Sequence, residues 1–106
     1  MLTITNDANI QTVITTFEVN PATCQDLFEE LSAACREVIS KQPGYIASAL
    51  HINDARTRIA NYSQWETRDH FHAMLRSDEM RERNKRINEI CKSFAPVMYD
   101  VAVCVS

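Results

Sequence analysis

The chain has 106 residues, of which 45% are hydrophobic and 24% are charged, and its formal net charge is −3 at pH 7. These values predict one soluble globular domain over residues 1–106, and the absence of a basic excess argues against a nucleic-acid partner. No apolar run approaches the roughly 20 residues that span a bilayer. The opening residues, MLTITNDANI, also lack the pattern of a secretory signal. We therefore expect no membrane partner and a cytoplasmic location.

The first half of the chain reads as a strand followed by a helix. Residues 10–19 are rich in β-branched side chains, which favour a strand. Asn20 is a suitable N-cap, and Pro21 fits the first helical position, where its missing N–H is not needed. The predicted helix ends before Pro43 and Gly44, which together form a turn. Its apolar stripe consists of Leu27, Phe28, Leu31, Ala34, Cys35 and Val38.

A hairpin follows. Its strands are predicted over residues 45–52 and 57–65, and residues 53–56 have the composition of a turn. In the second strand, TRIANYSQW, alternation puts Asn61 and Ser63 on the same face as two large hydrophobic residues. Buried polar groups need hydrogen-bond partners, and a ligand is one possible partner. This strand is therefore where we expect the functional site.

The last third of the chain is predicted to form a broken helix and a final strand. Thr67 can cap a first helical piece, and Ser77 can restart the helix. The two apolar stripes consist of Phe71, Met74 and Leu75, and of Met80, Asn84, Ile87, Cys91 and Phe94. Asn84 interrupts the second stripe, so it either bonds to the backbone or reaches into a cavity. Pro96 is expected to end the helix, and residues 97–105 to form the last strand.

The order βαββαβ predicts an α+β fold of the ferredoxin-like, split βαβ type, with a four-stranded antiparallel sheet. Its helices cover only one face, yet residues 45–52 and 97–105 are apolar on both faces. In residues 45–52, alternation puts Tyr45, Ala47 and Ala49 on one face of the strand and Ile46, Leu50 and Ile52 on the other. An exposed apolar sheet usually marks an interface, so we expect a homodimer that packs sheet against sheet.

The cysteines and the glycine content bear on possible cofactors. Cys24, Cys35, Cys91 and Cys104 form no CxxC pair, so the spacing of a metal site is missing. Each lies among apolar neighbours and is predicted to be a core residue, with a reactive thiol as the alternative. The only glycine, Gly44, cannot form a Gly-rich phosphate loop. We therefore expect no metal and no nucleotide cofactor.

The run PGYIASALH, followed by DARTRIANYSQWET, resembles the antibiotic biosynthesis monooxygenase family of dimeric α+β barrels. The closest likeness is to the cofactor-free anthrone oxygenases of aromatic polyketide pathways. This resemblance implies a pocket between sheet and helices. It also implies an aromatic substrate, such as a quinol, an anthrone or a polycyclic phenol, which dioxygen converts to a quinone without metal, flavin or haem.

The resemblance also suggests roles for individual residues. Asn61 and Trp65 match the family motif and would be catalytic donors, although each could instead be structural. His51 matches a family position and is the candidate base, although it could be an exposed residue at the strand end. Phe71 stands where the anthrone oxygenases carry a tyrosine. The predicted substrate-binding residues are Phe71, Asn84, Lys85, Arg86 and Phe17. Of these, Lys85 and Arg86 lie near the position of the family's helix arginine.

Two other functions remain open on the sequence alone. One is a non-catalytic ligand-binding or regulatory barrel, which the replacement of the helix tyrosine by Phe71 favours. The other is an isomerase or cyclase that uses His51 as a proton shuttle. The haem-degrading enzymes of the same superfamily fit less well, because their axial histidine and their tryptophan align with Asn84 and Met74.

Overall fold

The computed structural model describes residues 2–7 and 9–106. Over these residues it forms the strands β1 (Gln11–Glu18), β2 (Tyr45–Ile52), β3 (Arg58–Trp65) and β4 (Ser93–Tyr99). The α-helices are α1 (Cys24–Glu37), α2 (Arg68–Arg76) and α3 (Asp78–Ile90). The strands form one antiparallel sheet in the order β2-β3-β1-β4, which confirms the ferredoxin-like prediction. None of the helices in these residues is both long and apolar enough to cross a membrane.

The helix boundaries follow from local side-chain chemistry. The Asn20 side chain accepts a hydrogen bond from the Ala22 N–H (3.0 Å), and a short 3-10 turn leads into α1. The Thr67 hydroxyl accepts from the backbone N–H of His70 at the start of α2. The Ser77 hydroxyl accepts from the Met80 N–H and separates α2 from α3. All three caps are the ones that the sequence predicted.

The sheet presents one face to the helices. The other face, called the open face below, is only partly covered: Thr12 and Gln64 on it are buried, and the Gln64 side chain donates to the Thr3 carbonyl at 2.7 Å. On β1, Val13 and Phe17 are almost fully buried under the helices, and so is Val19, the residue that follows the strand. The strand register places rows of residues across the face under the helices: Ile52, Ile59, Phe17 and Phe94 form one row, Leu50, Asn61, Thr15 and Pro96 the next, and Ser48, Ser63, Val13 and Met98 the third. The middle row is the one with polar residues on both central strands.

The prediction for the end of the chain was wrong. Helix α3 stops at Ile90, and β4 spans Ser93–Tyr99, so Phe94 and Pro96 belong to a strand and residues 100–106 do not. Pro96 is tolerated because β4 is an edge strand that pairs only with β1. Pro96 was expected to end the helix because a proline lacks the N–H that a helix interior needs. On the outer side of an edge strand that N–H has no partner, so its loss is tolerated.

A second correction concerns the start of β2. The pairing with β3 shifts between Tyr45 and Ala47, so Tyr45 pairs with Trp65 and turns towards the helices. Its hydroxyl lies 2.8 Å from the Ser48 Oγ. Strict alternation had put Tyr45 on the same face as Ala47, and Ile46 on the same face as Leu50 and Ile52, but Ile46 is exposed. A β-bulge inserts one residue and reverses the faces before it.

Gly44 provides a test of the turn that precedes β2. Its φ of 83° lies in the left-handed region, and an added Cβ would collide with the ring of His70. Gly44→Ala should therefore lower the free energy of unfolding by about 1–3 kcal/mol, measured by denaturant titration. Arg56 also has a positive φ, of 57°, so Arg56→Gly is the matched control and should change stability by no more than about 0.5 kcal/mol. Equal stability of the wild-type and Gly44→Ala proteins would contradict this account.

Candidate active site

A small cavity lies between the sheet and the helices. The strands contribute Thr15, Phe17, Asn61, Phe94 and Pro96, and the rest of the lining consists of Leu31, Cys35, Ile39, Phe71, Met74, Leu75, Met80, Asn84 and Ile87. The space open to the centres of water molecules is about 40 Å³, which suffices for a few waters. The walls are apolar, and a few polar groups converge on the space. This is the general composition of a small-molecule site.

Asn61 is the polar residue of this cavity that the sequence singled out. It lies at the middle of β3, opposite Thr15 on β1 and Leu50 on β2. Its Oδ1 is buried and has no hydrogen-bond partner among the described residues. Leaving a buried polar atom unpaired costs about 1–3 kcal/mol, so the site is incomplete without a ligand or a water molecule. The amide can accept from a hydroxyl and donate to a carbonyl or phenolate oxygen.

Three other predicted residues also line the cavity. Phe17 stacks on Phe94 with ring centroids 5.6 Å apart, and Phe71 extends from α2. Asn84 shares the inner side of α3 with Met80 and Ile87, so the interruption of that apolar stripe does face a cavity. The cavity thus combines aromatic walls with an amide on its floor and another on its roof.

Trp65 lies in the core behind the cavity. It is 0% exposed, and its indole N–H donates to the Ser63 Oγ at 3.2 Å. Ser63 in turn donates to the Val13 carbonyl at 3.2 Å. The Trp65 ring packs edge-on against Tyr45 and Phe71, with centroid distances of 5.6 and 5.8 Å. Its donor is therefore already used inside the protein, and the structure does not support the prediction that this N–H contacts substrate.

His51 and the two basic residues of α3 lie outside the cavity. His51 is exposed and pairs with Ala60 on the open face of the sheet, whereas its neighbour Leu50 faces the helices. Lys85 and Arg86 have side chains that are 74% and 64% exposed. They form ion pairs with Glu82 (3.3 Å) and Glu30 (3.5 Å). Because the inner side of α3 carries residues 80, 84 and 87, positions 85 and 86 turn away from it. The predicted roles of these three residues are not supported.

Among the lining residues that sequence reasoning did not assign to the site, Thr15 and Cys35 carry a hydroxyl and a thiol. Thr15 is a buried polar residue on the same face of β1 as Phe17, so alternation could have found it. Cys35 was assigned to the core, but it lines both this cavity and a surface groove that includes Ser48. Burial raises the pKa of the Cys35 thiol, and a hydrogen bond with Ser48 opposes this only in part. The thiol is consequently protonated at neutral pH and is a poor nucleophile.

The cavity offers hydrogen bonds but no general base. Within residues 2–7 and 9–106, no histidine, carboxylate, tyrosine or lysine is among its lining residues. The same residues contain no cluster of three or more His, Cys, Asp or Glu side chains that could hold a metal ion. What the arrangement can do is orient an aromatic molecule and stabilise negative charge on one of its oxygens.

Comparisons with known proteins agree with this architecture. A curated relative, tetracenomycin-F1 monooxygenase of Streptomyces glaucescens, is 27% identical over 74 residues, which are 70% of this chain and 66% of that protein. The monooxygenase from the gene ActVA-Orf6 of Streptomyces coelicolor, solved with nanaomycin D, is 22% identical, with a TM-score of 0.81 over 95% of this chain and 96% of that one. SnoaB, a cofactor-independent oxygenase of Streptomyces nogalater, is 18% identical, with a TM-score of 0.76 over 92% and 98%.

The chain also matches a family model directly. The model for antibiotic biosynthesis monooxygenases covers residues 10–86, which include β1, β2, β3 and the residues Asn61, Phe71 and Asn84 that line the cavity. Because this match spans most of the chain, the protein belongs to the antibiotic biosynthesis monooxygenase family.

Proposed function

We propose that this protein is a cofactor-independent monooxygenase that oxidises a quinol, an anthrone or a polycyclic phenol to a quinone with dioxygen. The observation that carries the proposal is the unpaired amide oxygen of Asn61 in a cavity with walls of Phe17 and Phe71. Family membership supports the reaction class, and the names of the tetracenomycin-F1 monooxygenase and of SnoaB support the type of substrate and the lack of a cofactor.

The reaction requires little covalent chemistry from the protein. A deprotonated anthrone is electron-rich enough to reduce dioxygen itself: its CH2 group becomes a C=O group, and the second oxygen atom leaves as water. Negative charge develops on the ring oxygen conjugated with the reacting carbon. The Asn61 NH2 group can donate to that oxygen, while its unpaired Oδ1 can accept from a substrate hydroxyl. Phe17 and Phe71 can hold the ring system in place and exclude water.

The absence of a base among the lining residues makes the acidity of the substrate decisive. Phenols and anthrones lose a proton far more readily than ordinary C–H compounds. Donors such as Asn61 and Asn84 stabilise the resulting anion further. On this account the substrate binds as its anion, or loses its proton to water on binding, and the enzyme selects for compounds acidic enough to do so.

Substrate binding must enlarge the cavity. Its present volume of about 40 Å³ is too small for a polycyclic molecule, since drug-sized ligands occupy pockets of about 300–1,000 Å³. Met74 and Met80 form part of the lining, and methionine side chains adapt easily because they are unbranched. We expect these two residues to move when the substrate enters.

A non-catalytic ligand-binding barrel is the second candidate, because the cavity lining lacks a base and Phe71 cannot hydrogen-bond. The isomerase or cyclase alternative has lost its support, since it relied on His51, which faces away from the cavity. Oxygen uptake with a panel of anthrones and hydroquinones, measured in a chelator and without added flavin, separates a monooxygenase from both alternatives.

The first prediction concerns Asn61. If its amide donates to the oxygen on which charge develops, Asn61→Ala should lower kcat by about 10²–10³-fold, or 3–4 kcal/mol, with a smaller effect on KM. Asn88→Ala removes an exposed amide from α3 and is the control, with expected wild-type kinetics. A folded Asn61→Ala protein that turns over at the wild-type rate would make Asn61 purely structural.

The second prediction concerns pH. If the substrate supplies the acidic proton, kcat/KM should rise with pH through the pKa of the substrate. Two substrates with different pKa values should therefore give profiles displaced by that difference. His51→Gln should not change either profile. A limb of the pH profile that is common to both substrates and disappears in His51→Gln would show instead that His51 acts as a base.

The third prediction concerns self-association through the open face of the sheet. One row of this face consists of Ala49, Tyr62, Ile14 and Val97, and the buried Tyr62 hydroxyl has no hydrogen-bond partner among the described residues. Val97 is 45% exposed and nearby Tyr99 is 47% exposed. We propose a homodimer that covers this face, so light scattering should give about twice the chain mass of 12.1 kDa.

A charge in the row should weaken that dimer. Val97→Glu would place a carboxylate in the apolar interface, and its desolvation cost should shift the protein towards the monomer at micromolar concentration. Ala73→Glu, on the exposed surface of α2, is the matched control and should remain dimeric. A wild-type protein that scatters as a monomer would contradict the proposed dimer.

A further inference from the structure

The floor of the cavity carries two polar residues side by side. Thr15 on β1 and Asn61 on β3 are direct partners in the register of the two central strands. Partners of this kind have Cβ atoms roughly 4.5–5.5 Å apart and point to the same side of the sheet. Both residues line the cavity, and Thr15 is only 8% exposed.

Thr15 differs from the other buried hydroxyl on this face. Ser63 donates to the Val13 carbonyl and accepts from the Trp65 indole, so its Oγ is fully used inside the protein. The Thr15 hydroxyl takes part in none of the side-chain hydrogen bonds found among the described residues, and it is not one of their buried, unpaired atoms, so it is accessible. The neighbours of Thr15 on the same face of β1, Val13 and Phe17, are apolar. Valine has the same shape as threonine, so packing alone does not explain a hydroxyl at this position.

We propose that the Thr15 hydroxyl is a second oxygen-binding group of the site and donates to the same substrate oxygen as the Asn61 amide. This inference rests on the proposed function, since it assigns the second donor to the oxygen on which charge develops. Two neutral donors that point at one oxygen from adjacent strands resemble an oxyanion hole. They are held by the two central strands, so their spacing is set before the substrate arrives.

A hydroxyl that takes part in no hydrogen bond with another side chain can donate to a ligand oxygen without breaking one. Neither donor titrates near neutral pH, so the pair would bind the anionic and the neutral form of a substrate oxygen, the anion more strongly. Thr15 would thereby favour substrates that carry a phenolate or enolate oxygen.

Thr15→Val tests this directly because it removes the hydroxyl and keeps the shape. Dithranol, a dihydroxyanthrone, serves as the oxygen-uptake substrate, and its anthraquinone product serves as the binding probe. Binding is read from the fluorescence of the single tryptophan, Trp65, whose ring lies 5.8 Å from that of Phe71 in the cavity wall. The denaturation midpoint of each variant is measured alongside.

We expect Thr15→Val to be as stable as the wild type or more so, to bind the anthraquinone roughly 2- to 10-fold more weakly, and to lose about 10²-fold in kcat. Thr15→Ser restores the hydroxyl and should recover most of the binding. Thr16→Val is the matched control, because Thr16 is the next residue of β1 but is exposed on the opposite face. It should leave binding and turnover unchanged.

The possible outcomes separate the two proposals. A Thr15→Val protein with wild-type binding and turnover, or one that is clearly destabilised, would overturn the role of Thr15 as a ligand donor. If the wild type binds the anthraquinone but consumes no oxygen with dithranol, and Thr15→Val still binds more weakly, the oxygenase proposal fails and the donor role stands. A wild type that neither binds nor reacts would overturn both.

Discussion

The pairing of β1 with β3 is the constraint on which the rest of this structure depends. It aligns Phe17 with Ile59, Thr15 with Asn61 and Val13 with Ser63, so all six side chains face the helices. A slip of one residue would send every one of a strand's side chains to the opposite face of the sheet. The core would then lose Ile59 and the cavity would lose Asn61 together. Stability and the candidate site are thus tied to the same register.

The site gives up some stability to keep polar groups available. Asn61 Oδ1 is buried without a partner among the described residues, although an apolar residue at the centre of this sheet would pack without that penalty. Polar groups that break the pattern of a core are expected where a protein binds something. A few hydrogen-bond donors suffice for a reaction in which the substrate supplies the electrons. This agrees with the absence of a general base among the described residues that line the cavity.

Alternation along the strands separates two surfaces that lie only one sheet apart. Thr15 and Asn61 face the cavity, whereas their neighbours Ile14 and Tyr62 belong to the open face. The same two strands therefore carry both the candidate site and the surface proposed for self-association. A change in strand position at that surface would be felt at the cavity floor, because the backbone is shared.

The sequence by itself determined the element order, the helix caps and the importance of Asn61, because these depend on periodicity and on side-chain chemistry within a few residues. The interruption of one helical stripe pointed to Asn84, the family resemblance pointed to Phe71, and Phe17 was also among the predicted substrate-binding residues. Only the tertiary structure decided that His51 lies on the far face, that the Trp65 N–H is already bonded to Ser63, and that Pro96 belongs to an edge strand. Alternation along β1 places Thr15 on the same face as Phe17, but only the strand register put it beside Asn61. Each of these depends on contacts between residues that are distant in the chain, and local patterns do not contain that information.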